Sequence, residues 1–218
     1  MGWGPGAGVG VLALAAAACL ALRLFVTVRN HKRRVAGERR PVRLLLVLGS
    51  GGHTTEMLRL VNSLSPLYAP RHYVIANTDK MSEEKVRIIE AAKNEKDTEP
   101  QYTIHRIPRS REVRQSWISS VVTTVYSILY SIPLVFQLKP DMVMCNGPGT
   151  CVPLCLSALL LGIFGIKKVL IIYVESICRV ETLSLSGKIL YYLSDYFFVQ
   201  WSTLKEKYPK SIYLGRIV

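Results

Sequence analysis

The sequence is poor in acidic residues. Its 218 residues include 15 Asp and Glu against 28 Lys and Arg, which gives a formal net charge of +13 at pH 7. From Arg23 to Arg43, eight basic residues accompany a single acidic one, Glu38. A chain of this charge can bind nucleic acid or an anionic membrane surface. Because the basic cluster directly follows an apolar segment, we expect a membrane as partner and no nucleic acid.

Cysteines are also few, and their pattern argues against two kinds of protein. The five cysteines are odd in number and no two have C-x-x-C spacing, so a disulfide scaffold is not expected. Cys151 and Cys155 would share a helix face, but no histidine lies near them in sequence, and we predict no metal site. Thiols within apolar runs instead fit a reduced, cytosolic domain.

Positive charge is missing ahead of the first apolar run, where a secretory signal peptide would carry it. That run, residues 8–28, has 21 residues, enough to cross a bilayer as a helix. The basic cluster after it assigns the following chain to the cytosol by the positive-inside rule. A cleaved signal peptide is the alternative, because Ala16–Ala18 offers small residues for cleavage. The predicted organisation is a short N-terminus across the membrane (1–7), a transmembrane anchor (8–28), a basic linker (29–41) and a cytosolic domain (42–218).

From residue 42 onwards, apolar runs of strand length alternate with helical patterns, which is typical of an α/β fold. We therefore predict a Rossmann-like parallel sheet behind the N-terminal transmembrane helix. Strands are predicted at 42–48, 72–76, 102–107, 142–145, 169–174, 196–200 and near 212–214, and helices at 55–64, from Ser82, at 151–161, at 185–193 and briefly before the last strand.

The uncharged segment 116–138 permits two interpretations. It is long enough for a second membrane span, but a span would put the third and fourth strands on opposite sides of the membrane. We predict instead a helix that covers the sheet and rests its outer face on the bilayer, with Pro133 interrupting the pattern. A narrow polar stripe at helical spacing supports this interpretation: Ser116, Ser120, Thr124, Ser127 and Ser131.

A glycine-rich loop joins the first buried strand to its helix, with the sequence Gly49-Ser50-Gly51-Gly52-His53. Such a loop lets a phosphate approach the helix N-terminus, where free N–H groups and the helix dipole favour an anion. Thr54 stands where a dinucleotide fingerprint has its third glycine, so the match to NAD binding is incomplete. A loop that only packs helix on strand, with His53 as a capping or surface residue, is the alternative.

Polar loops follow the other predicted strands, and in an open α/β sheet such loops meet at one edge, where ligands bind. Glu175 is a candidate base or sugar ligand, or else an ionic partner of Arg179 or Arg109. The predicted diphosphate-binding residues are Gly49, Ser50, Gly51, Gly52, Thr54, Arg109, Arg111, Asn146, Gly147, Gly149 and Thr150; the predicted catalytic residues are His53 and Glu175.

These motifs together resemble the membrane-anchoring subunit of the eukaryotic UDP-N-acetylglucosamine transferase of dolichol-linked oligosaccharide synthesis. The glycine loop is also similar to the Gly-Gly-Thr-Gly-Gly-His motif of the bacterial glycosyltransferase that makes lipid II, with Leu48 in place of the first glycine. The resemblance extends from Leu44 to the end and rests on Gly49–Glu56, Arg71–Ala76, Ile107–Val113, Cys145–Cys151, Tyr173–Ser176 and Tyr213–Val218.

The resemblance implies the N-terminal, acceptor-binding half of a split GT-B glycosyltransferase. That enzyme moves N-acetylglucosamine (GlcNAc) from UDP-GlcNAc to GlcNAc-diphosphodolichol at the endoplasmic reticulum membrane, without a cofactor. The implied partners are a cytosolic catalytic subunit that binds UDP-GlcNAc, the dolichol-linked acceptor and the GlcNAc-phosphate transferase of the preceding step. Because an apolar terminus at a sheet edge needs covering, Arg216, Ile217 and Val218 are predicted to bind the catalytic partner. The alternatives are a pure membrane scaffold and a membrane-bound NAD(P) oxidoreductase.

Overall fold

The computed structural model describes residues 41–93, 101–111 and 115–218. The predicted N-terminal segment, anchor and nearly all of the basic linker lie outside the described residues. Within them the strands are β1 (Leu44–Val47), β2 (Arg71–Ala76), β3 (Tyr102–Ile107), β4 (Met142–Asn146), β5 (Leu170–Val174), β6 (Tyr196–Val199) and β7 (Ile212–Tyr213). The helices are α1 (Gly52–Asn62), α2 (Lys80–Lys93), α3 (Trp117–Leu138), α4 (Cys151–Ile163), α5 (Leu185–Leu193) and α6 (Ser202–Lys207).

All seven strands form one parallel sheet in the order β3-β2-β1-β4-β5-β6-β7. The predicted Rossmann-like parallel sheet is therefore confirmed. From β1 the chain builds one side of the sheet through β2 and β3, and then returns to add β4 on the other side. The point between β1 and β4 is a topological switch, and ligands of open α/β sheets bind beyond the strand ends at such a point.

The apolar core forms two layers, one on each face of the sheet. Strand β1 is therefore buried on both faces, as its unbroken apolar run predicts. Leu45 and Val47 face the cluster formed with α4, whereas Leu44 and Leu46 face the cluster formed with α1 and α2. All four side chains are fully buried, and each such burial stabilises the fold by about 1.5–3 kcal/mol. The strand that precedes the glycine loop is thus firmly fixed, and with it the loop's starting point.

Helix α3 runs without a break through Pro133, so the prediction of an interruption there was wrong. Its polar stripe faces inward: Ser127 and Ser131 are fully buried, and the Ser131 hydroxyl donates to the Ser127 carbonyl at 2.7 Å. The helix packs against α4, and it joins two strands of the same sheet. Its outer face carries exposed apolar side chains: Ile118, Val121, Val122, Val125, Tyr126, Leu129 and Tyr130.

The length and composition of 118–138, with a mean hydropathy of 1.6, would by themselves suffice for a membrane-spanning helix. However, β3 and β4 on either side of it both pair within one sheet, whereas a span would separate them. The segment is therefore part of the α/β domain, as predicted. What is unusual is that buried hydroxyl groups line part of its inner face while many apolar side chains are exposed on its outer face.

Two helix starts differ from the sequence-based prediction. Helix α1 begins at Gly52 rather than residue 55, so that His53 and Thr54 belong to its first turn. Helix α2 begins at Lys80, before Ser82, because the Asp79 carboxylate accepts from the Ser82 amide at 3.1 Å and from its hydroxyl at 2.6 Å. An Asp side chain in this position satisfies amides that the first turn leaves unpaired.

Candidate functional site

A cavity of about 340 Å³ lies beyond the carboxyl ends of β1, β4 and β5, at the topological switch. The sequence-based analysis predicted a site at this edge, and three of the loops it named contribute residues to the lining. The lining residues are Gly52, His53, Glu56, Gly147, Glu175, Ser176, Cys178, Arg179 and Ser184.

The His53 imidazole lies in a cradle made by two glycines. A Cβ at Gly147 would lie 2.4 Å from His53 Cε1, and a Cβ at Gly49 would lie 2.9 Å from His53 Cβ. Gly147 also has a φ of +71°, which side chains with a Cβ rarely adopt. Gly49 and Gly147 were predicted to bind a diphosphate, and that role stays a prediction; their missing side chains also make room for the histidine.

Other glycines of the two loops face open space. A Cβ at Gly51, Gly52 or Gly149 would meet no described atom within 4 Å, and Gly51 has a φ of +66°. Among the described residues no side chain caps the N-terminus of α1, so its first amides remain available to an anion. Ser50 is exposed on the same turn. The predicted phosphate site at these residues stays a prediction with suitable geometry.

A buried polar network ties the loops together. The Asn146 side chain is fully buried; its Nδ2 donates to Glu56 Oε2 at 2.8 Å, and its Oδ1 lies 3.0 Å from His53 Nδ1. The other Glu56 oxygen accepts from the Ser176 hydroxyl at 2.8 Å. Asn146 was predicted to contact the ligand, but it acts on His53 instead because no part of it reaches the surface. The network thus joins α1, β4 and the loop after β5.

Glu56 is a site residue that sequence reasoning missed. It is only 8% exposed, although a glutamate in a helix usually faces solvent. The available signal was its spacing: Glu56 is three residues after His53, so both lie on the same helix face.

Glu175 lines the cavity with a fully buried carboxylate. Burial raises the pKa of this carboxyl, and hydrogen bonds that favour its charged form partly oppose the shift. The donors are the Ser184 amide at 3.0 Å, the Ser184 hydroxyl at 3.1 Å and the Ser176 amide at 3.2 Å. In the described part of the chain, these donors rather than an arginine hold the carboxylate. Its catalytic role stays a prediction.

Neither predicted threonine has its hydroxyl in the cavity lining. Thr54 is fully buried, donates to the Gly49 carbonyl and shares a hydrogen bond of 2.6 Å with the Ser82 hydroxyl. The prediction that Thr54 binds phosphate is therefore corrected: it anchors the glycine loop to the start of α2. Thr150 is 8% exposed at the N-cap of α4 without a side-chain capping bond.

The two arginines predicted to supply charge are not brought to this cavity. Arg109 and Arg111 follow β3, the edge strand, which β2 separates from β1, and neither lines the cavity. The positions of Arg109 and Arg111 in the sequence could not show that they lie away from the cavity, because the strand order decides which loops meet. Arg179, after β5, does line the cavity and is the cation nearest to the glycine loop among the lining residues.

A larger groove of about 510 Å³ lies at the β3 edge between α2 and α3. Its two arginines, Arg87 and Arg106, both pair with the single carboxylate of Glu83. None of the predicted site residues lines it. The cavity beyond β1, β4 and β5 is therefore the better candidate site.

Three of the four described cysteines are fully buried, namely Cys145, Cys151 and Cys155. Burial raises the pKa of the Cys151 thiol, so these thiols are protonated and unreactive at neutral pH. Cys178, by contrast, is exposed and lines the cavity.

The C-terminal tail lies beside the loop that carries Glu175. The Arg216 guanidinium sits 4.3 Å from the Trp201 ring centroid, and the Ile217 amide donates to Gln200 Oε1 at 2.9 Å. Gln200 in turn donates to the Glu175 carbonyl at 3.3 Å. Leu214 is 67% exposed. The role of Arg216, Ile217 and Val218 in binding a partner stays a prediction.

The parallel sheet with its cavity at the topological switch has the Rossmann-like architecture of one half of a GT-B-like fold. The crystal structure of MurG from Acinetobacter baumannii has the same fold, with a TM-score of 0.56 at 17% identity, over 81% of this chain and 45% of the MurG chain. Residues 44–217 match the family model "Oligosaccharide biosynthesis protein Alg14 like". The chain belongs to this family, and it has the role of a glycosyltransferase subunit.

Several relatives bear the same description, "UDP-N-acetylglucosamine transferase subunit ALG14". The protein of Rattus norvegicus is 66% identical over 200 residues, which is 90% of this chain and 91% of the relative. The Homo sapiens protein is 62% identical with the same coverage, and that of Yarrowia lipolytica is 45% identical over 81% of each chain. The resemblance stated from the sequence motifs is thereby confirmed.

Proposed function

We propose that this chain is the membrane-bound, acceptor-binding subunit of an N-acetylglucosaminyltransferase. The enzyme moves GlcNAc from UDP-GlcNAc to GlcNAc-diphosphodolichol at the cytosolic face of the endoplasmic reticulum. The donor is bound by a separate catalytic subunit, which this chain recruits to the membrane.

The observation that carries the proposal is the cavity beside the glycine loop in a chain that corresponds to one half of MurG. The alignment uses 81% of this chain but only 45% of MurG, and relatives covered to 91% of their length are themselves described as subunits. A partner that supplies the second half would close over the carboxyl edge of the sheet, where the cavity opens.

The lining residues suit the chemistry of glycosyl transfer. The acceptor hydroxyl oxygen bonds to the anomeric carbon of GlcNAc while the bond from that carbon to the diphosphate of UDP breaks. UDP leaves with the bonding electrons, and the hydroxyl proton goes to a base. His53 is our candidate for that base, and the amides of α1 together with Arg179 are suited to hold the acceptor diphosphate.

The outer face of α3 supports the membrane part of the proposal. Its exposed apolar side chains would be a liability in water, whereas at the interface of a bilayer they are buried in lipid. The basic cluster at residues 29–43 fits the anionic cytosolic leaflet. A domain lying on the membrane in this way can receive an acceptor whose dolichol tail stays in the bilayer.

Reconstitution with the donor-binding subunit tests the proposal. We expect His53→Ala to lower transfer to GlcNAc-diphosphodolichol by roughly 10²–10⁴-fold, the usual effect of losing a general base. Gly51→Val should also abolish transfer, since its φ of +66° and the phosphate approach both require glycine. The donor subunit should still co-purify with both variants. Arg59→Ala, which removes an exposed charge elsewhere on α1, is the control.

The same experiment separates this proposal from the scaffold alternative. A pure scaffold would keep full transferase activity in His53→Ala and Gly51→Val as long as recruitment persists. Full activity of both variants would therefore refute the proposed acceptor site while leaving the family assignment intact.

A further inference from the structure

We infer that Glu56 is a positioning residue that acts through Asn146 to fix the protonation pattern of His53. In this arrangement His53 carries its proton on Nδ1 and keeps the Nε2 lone pair for the acceptor hydroxyl. The inference rests on the proposed function and deepens it, because it assigns a role to a buried carboxylate that the reaction itself does not use.

The orientation of the Asn146 amide follows from its neighbours. One end of the amide lies 2.8 Å from Glu56 Oε2 and 3.4 Å from the Val174 carbonyl oxygen. Both of these atoms are acceptors, so the NH₂ group must be the end that faces them. The amide oxygen then faces the opposite way, towards His53.

The tautomer of His53 follows from the amide orientation. The Asn146 oxygen lies 3.0 Å from His53 Nδ1 and carries no hydrogen, so Nδ1 must be the donor. A neutral imidazole with its proton on Nδ1 has its lone pair on Nε2. Nε2 has no hydrogen bond to any described residue, which leaves it open to the cavity that His53 lines.

The network holds this arrangement firmly. Glu56 is fixed at its second oxygen by the Ser176 hydroxyl at 2.8 Å, so its carboxylate cannot simply turn away from Asn146. The ring packs closely against Gly147, and the His53 Cβ packs against Gly49. Without an acceptor at position 56, the amide of Asn146 can turn over and donate to Nδ1. The proton of His53 then moves to Nε2, where it blocks the acceptance of another proton.

The matched variants are Glu56→Met, which has similar length but no acceptor, and Glu56→Gln, whose amide oxygen can still accept from Asn146. Glu56→Asp is a third variant. Its shorter carboxylate does not reach Asn146, but it keeps an acidic side chain at this position. It therefore tests the inference if Glu56→Met fails to fold. All are prepared in the full chain bound to its donor subunit.

Nitrogen NMR of a complex in which only this chain carries ¹⁵N-histidine reads the tautomer directly, because the chain contains only four histidines, and His53→Gln identifies the signals of His53. We expect Nδ1–H in wild type and in Glu56→Gln, and a shift towards Nε2–H in Glu56→Met and Glu56→Asp. The kcat of the last two should fall roughly 10- to 100-fold, the range found when a group that orients a metal-bound histidine is removed. Their KM for the acceptor should stay nearly unchanged.

Two results would overturn the inference: an unaltered Nδ1–H tautomer in both Glu56→Met and Glu56→Asp, or unaltered kcat in both. A loss of kcat in Glu56→Gln equal to that in Glu56→Met would also contradict it, because the amide oxygen should restore the orientation. The tautomer measurement does not depend on turnover. If His53→Ala is fully active while the tautomer still follows position 56, the proposed base is wrong but the positioning contact is real.

Discussion

The cradle around His53 depends on the absence of one methyl group at Gly147. We expect Gly147→Ala to displace the imidazole, since the new Cβ would lie 2.4 Å from His53 Cε1, and to lower transfer about 100-fold, as small misplacements of reacting groups do. Gly165→Ala is the control: Gly165 has a similar φ of +72°, so it introduces the same backbone strain away from the site.

Transfer assays and thermal denaturation of both variants distinguish strain from displacement. Each variant should lose about 1–2 kcal/mol of stability from the left-handed backbone. Only Gly147→Ala should lose activity. Equal activity in the two variants would show that the position of the imidazole has no role in transfer.

A second residue-scale feature is the buried ion pair between Glu90 and Arg71. The Arg71 guanidinium donates to both Glu90 oxygens, at 2.7 and 2.6 Å, and the Tyr73 hydroxyl donates to one of them. Burial alone would raise the pKa of Glu90, but these donors outweigh it, and the pKa lies below its ordinary value of 4.5. Its contribution to stability is therefore complete above about pH 4.5 and is lost as the pH falls through the lowered value.

Glu90→Ala should lower the free energy of unfolding by about 3–5 kcal/mol, because it leaves Arg71 buried without its counter-charge. Glu83→Ala, which removes an ion pair with the exposed Arg106, should cost at most about 1 kcal/mol. Chemical denaturation at pH 7 measures both. Similar losses of unfolding free energy for the two variants would mean that the buried ion pair stabilises the fold no more than the exposed one.

At the scale of elements, the exposed apolar face of α3 predicts how the domain binds membranes. A chain that begins at Arg29 should remain partly on vesicles of anionic lipid because the apolar face of α3 still binds. Val122→Asp together with Leu129→Asp, each at a position 64% exposed, should lower this binding by roughly 100-fold, since two apolar side chains lose their burial in lipid.

Vesicle flotation measures the bound fraction. Met81→Asp, at an apolar position 72% exposed on α2, is the matched control and should leave binding unchanged. If the double variant floats as well as the control, the outer face of α3 does not contact lipid. If the chain from Arg29 resists carbonate at high pH as firmly as the full chain, a second span must be reconsidered.

The end of β7 and the tail behind it form the second element with a clear expectation. Deleting residues 216–218 removes the Arg216 contact with Trp201 and the Ile217 bond to Gln200. We expect weaker co-purification of the donor subunit while the domain stays folded, because the sheet core does not include the tail. Pull-down at wild-type strength after this deletion would refute the assignment.

Elements were more predictable from the sequence than contacts between them. The sequence pattern predicted all seven strands to within a few residues. It was clearest for β1 and β4, because a strand buried throughout leaves a continuous apolar run. The sequence pattern did not predict that the side chains of Thr54 and Glu56 are buried, since a polar residue in a helix normally faces solvent. The exclusion of Arg109 from the cavity depends on strand order, which is a property of the whole sheet.

For the whole molecule, the proposed orientation is that everything after residue 29 faces the cytosol. Protease added to sealed microsomes should digest the domain without detergent, whereas a lumenal marker protein should remain intact. Protection of the domain until detergent is added would overturn the orientation, and with it a cytosolic donor subunit as partner.

The strand order also has a consequence for how the protein is made. Leu44 of β1 pairs with Met142 of β4, so the second neighbour of β1 leaves the ribosome only after nearly a hundred further residues have been synthesised. Until then β1 presents an unpaired apolar edge, which is prone to aggregation. Contacts so distant in sequence also form slowly. The nascent chain is therefore open to aggregation during this interval, and His53 meets Asn146 only after β4 has joined the sheet.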